Sequence, residues 1–139
     1  MITILLITYL VSVLSSVTDC DTASLFKIHN LTLSPEKPVG GQNATLYSTY
    51  EVPTQVDAGT ASYSCTLNGI PVLNQNHDIC TQTTCPITVG VHNDISETQT
   101  PVVSGSLLCK IKWKDVNNNP LLCIQTKLDQ PLNSFIKWF

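Results

Sequence analysis

The sequence contains no arginine, and its seven lysines are outnumbered by ten acidic residues, giving a formal net charge of −3. A chain of this composition offers no basic face to a nucleic acid, and that partner class is excluded. Charged residues are few, at 12 %, and aromatic residues make up 6 %. The surface must therefore be built largely from serine, threonine and asparagine. Helical periodicity is nearly absent, because proline, glycine and asparagine interrupt the chain at short intervals. No Gly-x-Ser-x-Gly or His-Glu-x-x-His motif occurs. His29, His77 and His92 are scattered among polar positions, and the carboxylates fall mostly in turns. These absences remove the familiar catalytic constellations, and the expectation is a non-enzymatic protein without a cofactor.

What is present begins with a leader. Ile2 to Val17 is apolar or small, and no charged side chain appears before Asp19. A short apolar core followed by small residues reads as a secretory signal peptide over residues 1–18, with cleavage after Ser15, Ser16 or Thr18. The run is shorter than the roughly 20 residues a spanning helix needs. Two acceptor sequons follow, Asn30-Leu31-Thr32 and Asn43-Ala44-Thr45, so Asn30 and Asn43 are expected to carry glycans. The expected location is outside the cell or in the endosomal or lysosomal lumen. One domain over residues 19–130 and a tail over 131–139 complete the chain, and a monomer is the expected state.

Between the breaks lie runs rich in Thr, Val, Ile and Tyr, which favour a pleated, half-buried surface. Seven strands are predicted: Leu25–Leu33, Asn43–Val52, Thr60–Leu67, Ile70–Leu73, Pro86–His92, Ser106–Lys114 and Leu121–Leu128. Asn68-Gly69 is a tight-turn signal, whereas Asn93–Ser104 is ambiguous and has room for a further strand. Short strands with regular turns predict an all-β, immunoglobulin-like sandwich of two sheets. Alternation then assigns faces. Ala61, Tyr63, Cys65 and Leu67 share one face. Leu107, Cys109, Ile111 and Trp113 share another, against Lys110, Lys112 and Lys114. Leu46, Tyr50 and Val52 oppose Tyr47, Thr49 and Glu51, and Leu122, Ile124 and Leu128 oppose Gln125 and Lys127. The apolar sets are expected to meet between the sheets. Trp113 follows both Cys65 and Cys109, which departs from the antibody pattern of Cys, Trp, Cys.

All six cysteines lie beyond the leader, and behind a signal peptide an even count predicts three disulfides. Six cysteines allow fifteen pairings. Cys65 and Cys109 both fall on inward faces and are placed to bridge within the core. Cys80 and Cys85 can close only a small ring, which leaves Cys20 and Cys123 near the domain ends. His77, Cys80 and Cys85 have the spacing of a ligand cluster, but in an oxidising compartment a disulfide is the expected reading, and no metal site is predicted.

Several elements together resemble the ML lipid-recognition family. They are Asn68-Gly69-Ile70-Pro71-Val72, then Asp78-Ile79-Cys80-x4-Cys85-Pro86-Ile87-x2-Gly90, and Ile111-Lys112-Trp113-Lys114-Asp115 through Leu121-Leu122-Cys123. Cys20, the run Leu31-Thr32-Leu33-Ser34-Pro35, and Gly40 or Gly41 precede them. The resemblance covers about Cys20 to Leu128. It implies a sandwich with an apolar pocket opening at one end, and disulfides Cys20–Cys123 and Cys80–Cys85. Many members have a second N-terminal disulfide loop that this chain lacks. Here Cys65 and Cys109 take its place, and a bridge between them is expected to cross or narrow the pocket.

Pattern alone would make the inward residues a packed core. The resemblance makes them the lining of a lipid pocket. On the first sheet elements these are Leu46, Tyr50, Val52, Tyr63, Leu67 and Val72. On the later ones they are Ile87, Val89, Leu107, Ile111, Trp113 and Ile124. The implied ligand is a phospholipid, such as phosphatidylglycerol or phosphatidylinositol, or a sterol. Transient contact with a membrane surface is also implied, with the stripe Lys110, Lys112 and Lys114 and the tail Phe135-Ile136-Lys137-Trp138-Phe139 as candidate contacts. A non-enzymatic lipid-recognition module, or a plain immunoglobulin-like adhesion module with a filled core, is the alternative.

Overall fold

The computed structural model describes residues 15–130; the first 14 residues of the expected leader and the expected tail lie outside them. Among the described residues there are eight strands and one helical turn. β1 (Ser15–Asp19), β2 (Lys27–Ser34), β3 (Asn43–Val52), β4 (Gly59–Leu67) and β5 (Ile70–Asp78) come first. The turn α1 (Ile79–Gln82) leads to β6 (Gly90–Gln99), β7 (Gly105–Asp115) and β8 (Pro120–Gln130). They form a five-stranded sheet ordered β1-β8-β7-β4-β5 and a three-stranded sheet ordered β2-β3-β6. Every pairing is antiparallel. The all-β, two-sheet sandwich is therefore the observed fold.

Three boundaries differ from expectation. β1 pairs with β8 from Ser15↔Leu128 to Asp19↔Ile124, so the first strand begins inside the segment assigned to the leader. β5 runs five residues further than Leu73. Its polar half pairs with β4 as far as Thr60↔Asp78, and because it is an edge strand its side chains need no apolar pattern. The predicted strand Pro86–His92 is replaced by β6. Ile87 makes only an isolated bridge to Val56, the chain turns at Gly90 with φ +131°, and β6 then pairs with the whole of β3, from Val52↔Gly90 to Asn43↔Gln99.

Local chemistry explains the turns. Asn68 and Gly69 have φ of 52° and 82°, the doubly positive pair that a two-residue hairpin requires. The Asp115 carboxylate accepts the Asn117 and Asn119 backbone N–H groups at 2.9 Å each. These bonds hold its pKa below the ordinary carboxylate value. Asp78 caps α1 by accepting the Cys80 N–H at 2.9 Å.

The sheets meet along β3 and along β4, β7 and β8. β3 alternates as predicted, with Ala44, Leu46, Ser48, Tyr50 and Val52 buried. The densest packing surrounds Tyr50, which stacks on Phe26 at 5.6 Å and meets Trp113 edge-on at 5.9 Å. Phe26 and Leu25 donate N–H groups to the carbonyls of Leu121 and Pro120 at 2.9 and 3.0 Å. This seats the β2 side of the small sheet against β8. The small sheet has three strands against five, so β5 is left uncovered, and all nine of its residues are exposed.

Three disulfides join Cys20 to Cys123, Cys65 to Cys109 and Cys80 to Cys85. Cys65 and Cys109 are direct cross-strand partners of β4 and β7. Their bridge links neighbours within one sheet and does not cross the gap between sheets, so of the two expectations, that it would cross or narrow the pocket, the crossing does not occur.

Candidate functional site: a cavity between the sheets

The inner positions of β6 change along the strand. His92 and Asp94 are half-buried, whereas Ser96 and Thr98 are exposed. The sandwich thus opens along β6, on the side where β5 has nothing opposite it. Inside the opening is a cavity of about 410 Å³, within the range of small-molecule sites. The small sheet contributes Leu46, Ser48 and Tyr50 from β3 and Asn93 to Ser96 from β6. The large sheet contributes Tyr63 from β4, Ile111 and Trp113 from β7, and Leu122 and Ile124 from β8, with Gln82 of α1 at the rim.

Six of the twelve residues expected to line the pocket do so: Leu46, Tyr50, Tyr63, Ile111, Trp113 and Ile124. Val52 and Ile87 are fully buried, but in the solid end of the core with Val56, Ala61 and Ile79. Leu107 is buried at 3 % exposure, opposite the half-buried Leu67, and neither belongs to the cavity wall. Val72 and Val89 are corrections. They are 56 % and 64 % exposed, because β5 has no sheet across from it and Val89 precedes the first residue of β6.

Sequence reading missed two kinds of lining residue. Ser48 has the inward parity of its strand and was hidden only by its polarity. Asp94 gave no signal, since β6 points Val91 and Ile95 outward, 60 % and 70 % exposed, and turns polar residues inward.

The polar groups of the lining are hydrogen-bonded in pairs. The Tyr50 hydroxyl donates to the Asp94 carboxylate at 2.7 Å, and the Tyr63 hydroxyl donates to the Gln82 side-chain oxygen at 2.8 Å. Burial, then the bond to Asp94 and its charge, push the Tyr50 phenol well above its ordinary value, with Thr83 opposing. Burial also raises Tyr63, with the neighbouring Trp113 indole opposing. His92 stacks on Tyr50 at 5.6 Å and hydrogen-bonds the Thr88 carbonyl through Nε2 at 2.6 Å. The apolar walls include Leu46, Ile111, Leu122 and Ile124, with Ser48, Asn93 and Ser96 also in the lining. Among the described residues no group of three His, Cys, Asp or Glu is placed to hold a metal ion.

The Tyr50 shift has a testable sign. Above the ordinary phenol value of 10.0 an unfolded chain releases this proton while the folded chain keeps it. Stability from the buried neutral phenol is therefore complete below about pH 10 and is lost as pH rises above it. Equilibrium unfolding at pH 9 and pH 11 should show a steeper loss for the wild type than for Tyr50→Phe. Equal slopes would show that Tyr50 ionises freely.

Comparison with known proteins places this geometry. A family model described as the ML domain matches residues 15–129. A Dictyostelium discoideum protein that carries a provisional name as a phosphatidylglycerol/phosphatidylinositol transfer protein is 28 % identical over 120 residues, 80 % of this chain and 83 % of its own. A second from the same organism, also provisionally named for that transfer, is 33 % identical over 75 residues, covering 52 % of this chain and 50 % of its own. The Niemann-Pick type C2 protein of the Japanese carpenter ant superposes with a TM-score of 0.65 at 12 % identity, over 81 % of this chain and 97 % of that one. Chicken MD-1, solved in complex with lipid IVa, gives 0.61 at 11 % identity, over 85 % and 90 %. With its disulfides, its open sandwich and a match over nearly its whole described length, the chain belongs to the ML domain family.

Proposed function

We propose that this protein is a secreted, non-enzymatic carrier that takes one lipid into the cavity between its sheets and passes it between membranes. The observation that carries this reading is the cavity itself: a sandwich of this size has inward residues enough to fill its core, yet about 410 Å³ stays open beside Ile111 and Ile124. A dry apolar wall suffices for such a role, since each buried methylene contributes ~0.8 kcal/mol. At about 30 Å³ per water-sized group the space holds about fourteen such groups, the bulk of a single chain or a fused ring system. The curated relatives' provisional names support a phospholipid ligand, and the cavity size supports a sterol equally well. The open interior counts against an adhesion module with a filled core.

The remaining features fit export. Three disulfides suit an oxidising compartment, outside the cell or in the endosomal or lysosomal lumen. Asn30 and Asn43 are exposed and accessible to glycosylation. We place leader cleavage after Ser15, which keeps most of β1, whereas cleavage after Thr18 would leave only Asp19 of that strand. Lys112 and Lys114 are exposed and Lys110 half-buried on the outer face of β7. There they would meet anionic headgroups at roughly 1 kcal/mol each, the protein acting as a monomer.

Native mass spectrometry of the secreted protein, with lipid extraction of the same sample, tests the reading. A one-to-one adduct with the mass of a phospholipid or sterol is the expected result. Bare protein that also takes up no labelled lipid from liposomes, at neutral and acidic pH, would sink the carrier role and favour the filled-core module.

A further inference from the structure

We infer that the polar part of the cavity lining selects an uncharged lipid carrying a free hydroxyl and rejects an anionic phosphate head, with Asp94 as the deciding residue. The inference rests on the carrier reading and names the substrate class for that site. Asp94 is the one charged side chain among the described residues that line the cavity. No lysine accompanies it. Lys110, Lys112 and Lys114 alternate with Ile111 and Trp113 along β7, so they project from the opposite face of that sheet. A phosphate whose tail lay along the apolar walls would therefore approach a carboxylate with no cation lining the cavity to offset the repulsion.

The hydrogen-bond directions point the same way. The Tyr50 proton is already given to Asp94, and the Tyr63 proton to Gln82. What these groups still offer an incoming head are acceptor lone pairs, on the Asp94 carboxylate and on the Tyr63 oxygen. A phosphate diester is itself only an acceptor, whereas a hydroxyl can donate. Tyr50 is locked in place by Phe26, His92 and Trp113, so Asp94 is held at the rim by a rigid donor and cannot swing away without leaving the phenol unpaired. Asp94 is thus a specificity-determining residue, and its charge matters more than its shape.

The test compares two lipids that differ only in the phosphate: palmitoylglycerol and palmitoylglycerol 3-phosphate, each below its micellar concentration, titrated into the full secreted chain by calorimetry. The wild type should bind the neutral lipid at least tenfold more tightly. Asp94→Asn, which keeps the shape and removes the charge, should bring the two within about threefold, chiefly by tightening the anionic one. Its melting curve reports whether the variant is intact, and Asp94→Ser serves if it is not. Equal binding of both lipids by the wild type, or a preference untouched by either variant, would overturn the inference. If neither lipid binds and cholesterol is not taken up from vesicles either, the carrier reading itself fails.

Discussion

Removing the Cys20–Cys123 bridge, as the double variant Cys20→Ser, Cys123→Ser, is expected to lower the melting temperature by about 19 °C. The bridge closes a loop with a sequence separation of 103. In the chain-entropy model a loop of that size is worth about 4.7 kcal/mol. For a domain of this length each kcal/mol moves the midpoint by about 4 °C. The structure adds local reasons. The Cys20 N–H donates to the Cys123 carbonyl at 3.1 Å, and Cys123 is itself buried, on the face of β8 opposite Leu122 and Ile124 and beside Lys112 of β7. Losing the bridge frees β1 and the chain leading to Phe26 together. The same pair of substitutions at Cys80 and Cys85, whose separation is 5, should cost about 2 kcal/mol by the same model. Scanning calorimetry of both double variants settles the order. A Cys80/Cys85 variant that melts as low as the Cys20/Cys123 variant would show that loop size does not govern stability here.

Filling the cavity is expected to abolish lipid uptake while leaving the fold intact. Ile111 is half-buried, sits between Tyr63 and Ile124 across the sheet, and faces the open space. In Ile111→Trp the added ring enters that space, where overpacking strain is small compared with the 1–3 kcal/mol typical of a filled core. Displacing three methylenes of a ligand costs about 2.4 kcal/mol, or about fifty-fold in affinity. Leu46→Trp does the same from the opposite sheet. Uptake of fluorescent lipid from vesicles should fall at least tenfold for both, with melting temperatures within a few degrees of the wild type. Unchanged uptake by two folded variants would place the ligand somewhere other than between the sheets.

Much of this arrangement was legible one strand at a time. The alternation of Leu46, Tyr50 and Val52 against Tyr47, Thr49 and Glu51 predicted which face of β3 is buried, and the structure agrees. Asn68-Gly69 predicted its hairpin because only a few residue types accept two positive φ angles in succession. The inward parity of Cys65 and Cys109 predicted a bond between them, and the compartment predicted that all six cysteines would be oxidised. These are local properties: a residue's parity, its backbone preference, its chemistry.

The cavity and its selectivity are different in kind. Whether Leu46, Ile111 and Ile124 touch one another or surround a space depends on the distance between two sheets. That distance is set by how three strands sit over five and leave β5 uncovered. Asp94 looked like a loop residue, since β6 carries its valine and isoleucine on the outside and its polar residues within. The segment Asn93–Ser104 is ambiguous in the sequence, and no face could be assigned to it. The Tyr50 to Asp94 bond joins residues 44 apart in sequence. By itself the sequence determined the fold class, the covalent framework and most of the faces. Tertiary structure alone decided where the interior stays open and which charge stands at its mouth, because periodicity reports only which side of a strand meets protein, never how far away that protein lies.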